Sequence, residues 1–298
     1  MILNFPAGTP ENNLFSINCG CKINLRLKVT GKRQDKLHDL SSCFLRLDEP
    51  GDRLTLGISG TPGIDLSVPD FPELAGKNNL VYKAAELFAA RSGIVPAWHI
   101  VLEKRVPIAA GLGGGSADAG GMLALLNRIY RSFSPEDLAS LAFSLGADVP
   151  FFLNERSAWV TGAGEFFEYP ENLPELPEIL IVNPGFPVSA GWAYTHLAKE
   201  LISADDVKYH DEFFSGKIKN YAEFCRNDLA PAIFDKFPLL RMIREHLAAC
   251  GALAVQVSGS GPSLFALFES DAAKRAKELR EKFSDFYNMR IFTGGTEW

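Results

Sequence analysis

Long apolar runs are missing from this chain. No stretch of its 298 residues approaches the roughly 18 consecutive apolar positions that cross a bilayer, so a helical membrane span is excluded. Basic charge is scarce as well: 30 Lys and Arg face 36 Asp and Glu, for a formal net charge of −6. Non-specific nucleic-acid binding needs a basic face and is not expected, although a local basic pocket for phosphates stays open. Cysteines are few and scattered, at 19, 21, 43, 225 and 250, without a C-x-x-C pair. Cys19-Gly20-Cys21 is too tight for ordinary zinc ligation, which leaves thiols in a reducing compartment as the reading. Residues 1–18 have neither the basic start nor the unbroken apolar run of an export signal, and a cytoplasmic protein is expected. No repeat and no low-complexity tract occurs. The triplet Gly-Lys-Ser/Thr is also absent, and with it the Walker A phosphate loop.

What is present has the pattern of an enzyme. Hydrophobic residues make up 47% and charged residues 22%, and the length favours two closely packed domains over one core. Residues 16–30 alternate apolar and polar, with Ile23, Leu25, Leu27 and Val29 on one face, which predicts a strand. A strand pair is expected over 40–47 and 53–58, joined by a turn at Glu49-Pro50-Gly51-Asp52, and surface strand and loop over 60–78. Helices are predicted over 80–91, 116–130, 134–145, 189–201, 239–249 and 272–283, with a polar segment of helical tendency over 205–230. Strands are predicted over 97–102, 179–182, 252–257, 263–268 and 289–292. Without a strict βαβ rhythm, this order indicates α+β.

The sharpest chemical feature is Pro107-Ile-Ala-Ala-Gly111-Leu112-Gly113-Gly114-Gly115-Ser116-Ala-Asp118-Ala, lying between a predicted strand and a predicted helix. Glycines let backbone N–H groups turn inward around an anion, and a helix N-terminus adds a favourable dipole. The segment therefore reads as a phosphate cradle. A dinucleotide fingerprint fails here, because Gly111-x-Gly113-x-x-Ser116 lacks the third glycine and the chain continues as helix.

Two further segments complete a pattern. Lys22-Ile23-Asn24-Leu25 lies in the first strand, and Ser258-Gly259-Ser260-Gly261-Pro262-Ser263 forms a late glycine turn. A leading K-I-N-L strand, a P-x-x-x-G-L-G-G-G-S-x-D-A loop and an S-G-S-G-P-S turn, in that order, resemble the GHMP kinases. The triple glycine, the stretch Gly146-Ala-Asp148-Val-Pro-Phe-Phe152 and the string Val29-Thr-Gly-Lys-Arg33 leading to His38-Asp-Leu40 are most similar to the diphosphocytidyl-methylerythritol kinase branch. The resemblance implies a two-domain GHMP kinase fold. An N-terminal ATP-binding domain of mixed α/β layers in left-over-right order would span 1–162, and a ferredoxin-like, substrate-side domain 163–298. It also implies phosphoryl transfer from ATP to the 2-hydroxyl of a cytidyl diphosphate-linked polyol, with Mg²⁺ as cofactor, by a monomer or weak homodimer.

Roles then follow residue by residue. Phosphoryl transfer needs positioning and charge neutralisation more than covalent chemistry. Asp148 matches the base that accepts the hydroxyl proton, and Lys22 the cation that supports the migrating charge. Pro107, Gly111, Leu112, Gly113, Gly114, Gly115 and Ser116 would hold ATP, with Ser116 also able to reach Mg²⁺. Asn79 and Lys104 match positions contacting the nucleoside of ATP, although Asn79 also reads as a helix cap and Lys104 as a solvated charge. Asp118 reads as a helix N-terminal charge. The substrate side takes in Asn24, Leu37, His38, Tyr194, Gly259 and Ser260. His38 would hydrogen-bond the cytosine and Tyr194 cover it, with Trp192 as a rival. One departure stands out: Asp35-Lys36-Leu37-His38 occupies the place of the family's D-G-Y-H, so no tyrosine precedes the histidine. Cys21 and Ala190 are smaller departures. The alternatives are a sister kinase acting on mevalonate, homoserine or a sugar, and a catalytically silent metabolite sensor.

Overall fold

Alternating residues in the first fifth of the chain build two long strands in the computed structural model, β1 (Leu14–Lys32) and β2 (His38–Ile58). The structure describes residues 14–298 apart from 36, 59, 199, 200, 204, 205, 287, 294, 295 and 298. Residues 1–13, read above as lacking an export signal, lie outside the described part. So do residues 199 and 200 of the helix predicted over 189–201 and the first residue of the polar segment 205–230. The turn predicted at Glu49–Asp52 is not a turn, for β2 runs straight through it. Asp52 is wholly buried and accepts the backbone N–H groups of Arg105 (2.5 Å) and Val106 (2.8 Å), which keeps this stretch extended inside the protein.

The chain forms two compact units whose segments alternate in sequence. The first comprises the described residues up to Cys21 together with Gly51–Val106 and Gly113–Glu155. In it β3 (Gly63–Ser67) runs parallel to β4 (Ala97–Glu103), and β4 pairs antiparallel with the second half of β2, from Arg53↔Glu103 to Ile58↔Trp98. Helices α1 (Leu80–Ser92), α2 (Gly114–Tyr130) and α3 (Pro135–Leu145) pack on one another. Asn79 caps α1, its side chain accepting the Val81 N–H, and Ser134 caps α3 ahead of Pro135. The aromatic part of the core brings Phe88 edge-on to Phe133 at 5.1 Å, while the Trp98 indole donates to Tyr130 Oη at 2.9 Å. A 3-10 turn at Pro150–Leu153 follows α3.

The second unit comprises Lys22–Pro50, Pro107–Leu112 and the described residues from Arg156 onward. Here the first half of β2 pairs with β5 (Ala158–Gly162), and β5 with β6 (Phe166–Glu168). After β7 (Glu178–Asn183) come α4 (Ala190–Thr195), α5 (Val207–Phe214), α6 (Tyr221–Phe224), β8 (Arg226–Asn227), α7 (Ala230–Lys236) and α8 (Pro238–Ala249). They are followed by β9 (Ala254–Val257), β10 (Leu264–Phe268), α9 (Ala272–Lys282), β11 (Arg290–Thr293) and β12 (Thr296–Glu297). The sheet order β12-β11-β7-β10-β9 is antiparallel throughout. A central β7 beside the last long strand, with α9 crossing between β10 and β11, is the expected ferredoxin-like arrangement. Its core joins Leu27 and Val29 of β1 to Leu180, Val182, Leu264 and Ile291, each at most 3% exposed. β8 adds to β1 in parallel at Arg26↔Arg226.

One prediction in this unit changes and another gains detail. The polar segment 205–230, of helical tendency, holds the short helices α5 and α6 and the two-residue strand β8. Helix α4 ends at Thr195, where Thr195 Oγ1 donates to Trp192 O (2.8 Å) and the His196 ring approaches the same carbonyl (2.9 Å). Side chains that bond back to the last turn compete with the main-chain ladder and stop it. Among the described residues, no helix is long and apolar enough to cross a membrane.

Candidate active site

Three distant stretches of the sequence meet inside the second unit. Lys22 lies in β1, buried at 5% exposure, and its Nζ donates to Asn24 Oδ1 at 2.6 Å. The ammonium also sits 4.8 Å from the centre of the Phe44 ring, a cation–π contact. The Lys22 N–H donates to the Leu112 carbonyl at 2.8 Å, which ties the strand to the glycine loop. Asn24 reaches the late glycine turn, its N–H donating to Ser258 Oγ at 3.2 Å, and Ser258 Oγ–H in turn donates to Gly111 O at 2.9 Å. The Asn24 amide is completed by Nδ2 donating to Ser42 Oγ at 3.0 Å.

Glycine at 111 is required by space as well as by backbone angle. A Cβ there would lie 2.3 Å from Ser258 O, and its φ is +77°. Gly259 of the late turn also faces β1, where a Cβ would meet Asn24 Oδ1 at 3.2 Å and Lys22 Nζ at 3.5 Å. The structure therefore brings Lys22, Asn24, Gly111, Leu112 and Gly259 together, with Ser260 next to them in the chain. Pro107 opens the loop and is half-buried.

In the first unit, α2 begins at Gly114, two residues earlier than predicted, behind Gly113 in the left-handed conformation. Gly114 and Gly115 are thus the first helical residues, and their N–H groups are among the unpaired donors of a helix start. Ser116 lies in that first turn, half-buried, and its hydroxyl makes no hydrogen bond among the described residues. Asp118 is more than a helix N-terminal charge. It is 2% exposed, accepts from Lys104 Nζ through Oδ2 at 2.7 Å, and its Oδ1 has no hydrogen-bond partner among the described residues.

Lys104 is likewise not solvated, because Asp52 takes its ammonium from the other side. One cation thus serves two buried carboxylates. Burial pushes the Asp118 carboxyl up to about 8, against the pull of Lys104, while Asp52 adds to the rise. Burial alone would lower Lys104, but Asp118 and Asp52 outweigh it and raise its pKa.

Asn79 is engaged at both ends of its amide, accepting from Val81 N (2.8 Å) and donating to Leu74 O (3.0 Å). Asp148 lies half-buried in the turn between α3 and the 3-10 helix. That turn is set against α2 at Gly120, where a Cβ would fall 2.9 Å from Phe152 Cβ and 3.1 Å from Val149 O. The small residues of α2 therefore fix where Asp148 is presented. Lys22 and Asp148 belong to different units.

A cavity of about 1020 Å³ opens in the second unit beside Lys32, Leu37, His38, Leu40, Gly191 and Tyr194. The His38 and Tyr194 rings stack at 5.2 Å and 19°. Trp192, the rival for the lid, stacks instead on His196 at 4.5 Å and takes the Lys236 ammonium on its face at 4.0 Å. Burial, and then Lys32, hold the His38 imidazole below its ordinary pKa, with Asp39 offsetting part of the effect. Leu37 is 54% exposed.

Sequence reasoning missed Asp52, hidden by the turn reading of its neighbours. Asn227 was missed too: it clamps the late turn by donating to Val257 O (2.8 Å) and Gly259 O (2.7 Å) from an otherwise polar stretch. Ser258 was visible only as part of its motif.

Comparison with known proteins gives the family. The family pattern described as GHMP kinases N terminal domain matches residues 79–156, and GHMP kinases C terminal matches 214–285. The 4-diphosphocytidyl-2-C-methyl-D-erythritol kinase of Chlorobium phaeobacteroides is 38% identical over 93% of this chain and 98% of its own. That of Syntrophotalea carbinolica is 37% identical over 86% and 91%. Among solved structures, a 4-(cytidine 5'-diphospho)-2C-methyl-D-erythritol kinase superposes with a TM-score of 0.77 at 31% identity, covering 93% of this chain and 97% of that one. A homoserine kinase from Cytophaga hutchinsonii gives 0.74 at 17% identity, a likeness of fold alone. The chain belongs to the GHMP kinases and, among them, to the 4-diphosphocytidyl-2-C-methyl-D-erythritol kinase family.

Proposed function

We propose that this protein transfers the γ-phosphoryl group of ATP to the 2-hydroxyl of 4-diphosphocytidyl-2-C-methyl-D-erythritol, a step of non-mevalonate isoprenoid synthesis in the cytoplasm. The observation that carries the reading is the meeting of β1, the glycine loop and the late glycine turn around Lys22, Asn24 and Gly259. In the same unit, the cavity with His38 stacked on Tyr194 suits a nucleobase. We read 1–162 as the ATP-binding domain and 163–298 as the substrate-side domain, and the two family patterns fall one on each side of that boundary.

In this mechanism Asp148 accepts the proton of the substrate hydroxyl as its oxygen bonds to the γ-phosphorus. The bond from that phosphorus to the bridging oxygen breaks, and ADP leaves with the electron pair. Lys22 supports the charge as it moves across the transferring oxygens. The N–H groups of Gly113 to Ser116 cradle the phosphates at the start of α2, and Pro107 to Leu112 shape the approach. Asn79 and Lys104 serve the ATP side from the start of α1 and the end of β4.

Asn24, Gly259 and Ser260 line the acceptor end of the substrate. Leu37, His38 and Tyr194 hold the cytosine, with Leu37 offering an apolar edge in place of an aromatic ring. Phe186 does not replace that ring, since it stacks on Phe237 at 5.4 Å.

Ser116 suits Mg²⁺ on the chemistry of its oxygen, a hard donor that makes no hydrogen bond among the described residues, whereas both carboxylates near it are bound to Lys104. When bound, the ion neutralises charge between the phosphates.

The test is ADP release with Mg-ATP, comparing 4-diphosphocytidyl-2-C-methyl-D-erythritol with mevalonate, homoserine and galactose. Turnover with the cytidyl substrate alone is expected. Turnover with another alcohol alone would keep the kinase and discard the substrate, and silence with all four beside measurable ATP binding would indicate a sensor.

A further inference from the structure

Lys104, Asp52 and Asp118 come from three elements that meet where the glycine loop leaves the first unit and returns to it. Lys104, Arg105 and Val106 form the exit from β4, and Gly114 to Asp118 form the first turns of α2. All three charged side chains are buried, at 7%, 0% and 3% exposure. Asp52 is a fixed post. One of its oxygens holds the N–H groups of Arg105 and Val106, and the other takes the Lys104 ammonium. From there Lys104 reaches Asp118 at 2.7 Å, on the far side of the loop. The two edges also touch directly, since a Cβ on Gly114 would lie 2.8 Å from Val106 Cγ1.

We propose that Lys104 is a positioning residue for the phosphate loop, a clasp that bridges Asp52 and Asp118 and so sets the distance between strand exit and helix start. Two of the three N–H donors of this ammonium are committed to buried carboxylates, and its side chain is 7% exposed, which suits it to holding the loop rather than to reading a nucleoside. It acts on ATP through the loop whose neck it closes. Widening that neck would splay the N–H groups of Gly113 to Ser116, and anion binding depends on their convergence. This rests on the reading of the loop as the phosphate site and assigns a different task to a residue expected at the nucleoside.

The two roles separate by ligand. Binding of ADP, inorganic tripolyphosphate and adenosine is measured by calorimetry for the wild type, Lys104→Met, Asp118→Leu and the double variant. The double variant removes both partners of the Lys104–Asp118 pair and leaves Asp52 held by the Arg105 and Val106 N–H groups alone, so its melting temperature is recorded alongside. A clasp predicts that ADP and tripolyphosphate weaken tenfold or more in each single variant while adenosine stays within twofold. The double variant should be no worse than either single one, because the clasp is broken only once. In turnover, KM for ATP rises tenfold or more and kcat falls less than threefold.

Loss of adenosine and ADP with tripolyphosphate unchanged would overturn the clasp in favour of direct nucleoside contact. Wild-type affinity for tripolyphosphate in either variant would overturn it as well. Failure of the wild type to bind ADP or tripolyphosphate would instead overturn the phosphate-loop reading, and the clasp with it.

Discussion

A carboxylate that takes a proton from an alcohol must arrive ionised and be held at a fixed point. Asp148 is held through its turn, which packs on α2 at a glycine. Asp148→Asn keeps the shape and removes the basicity, so kcat should fall by ~10²–10⁴ while KM for ATP changes less than threefold. Steady-state ADP release checks both numbers, and retained turnover would exclude Asp148 as the base. Gly111 invites a stability test instead. An added methyl at Gly111→Ala meets the Ser258 carbonyl at 2.3 Å, and overpacking of this kind costs ~1–3 kcal/mol. A lower urea midpoint, with a loss of ATP affinity, is expected.

His38 gives a pH dependence with a definite sign. Its folded pKa lies below the ordinary value because of burial first and Lys32 second. The imidazole is therefore neutral through neutral pH, and the folded form loses stability only as pH falls below the ordinary histidine value of ~6.5. Affinity for CDP should be flat above that pH and decline beneath it. Lys32→Met removes one lowering cause, so the decline should begin at higher pH. An NMR titration of the His38 ring follows the same shift, and an unchanged titration would show that Lys32 does not act on it.

At the scale of elements, α4 carries Tyr194, the proposed lid. Tyr194 stacks on His38, and base-stacking contacts are worth ~1–3 kcal/mol. Tyr194→Ala should accordingly raise KM for the cytidyl substrate about 5- to 150-fold with little change in kcat, whereas Trp192→Ala should not. An equal effect of the two variants would mean that α4 acts as a scaffold only.

Most strands and helices were legible because their apolar residues repeat at the right period and their caps are ordinary, as at Asn79, Ser134 and Pro135. The three motifs were legible because each pairs a backbone need with a chemical one. The rest depended on tertiary partners. Glu49–Asp52 has the composition of a turn but is held extended through Asp52, and α4 stops early because two side chains bond back to one carbonyl. Lys104 was open to a reading as a solvated charge, and Asp118 as a helix N-terminal one, for the same reason. Nothing near them in the sequence announces that Asp52 will be their common neighbour.

At the scale of the whole molecule, a buried ion pair fastens β1 in the second unit. Arg26 and Asp206 are 2% and 5% exposed, and the guanidinium meets one carboxylate oxygen at 2.5 Å. Its other end donates to Phe224 O at 2.8 Å, and its plane lies 3.7 Å from the centre of the Tyr209 ring. Removing one partner from such a pair leaves a lone charge in the interior, so Asp206→Ala should destabilise by ~3–5 kcal/mol. Arg26→Met combined with Asp206→Leu should recover part of that. Urea unfolding followed by tryptophan fluorescence checks the order, and a neutral Asp206→Ala would show that the site is hydrated.

Leu27 and Val29 share a core with strands made 150 to 260 residues later, because β1 belongs to the same unit as β7, β10 and β11. A ribosome working at about 5–20 residues per second leaves that apolar face without its partners for on the order of ten seconds or more. The interleaving of the chain thus sets a schedule in the cell. Lys22 is among the first described residues to emerge, and its unit is among the last to close, an interval that a holding chaperone is suited to cover.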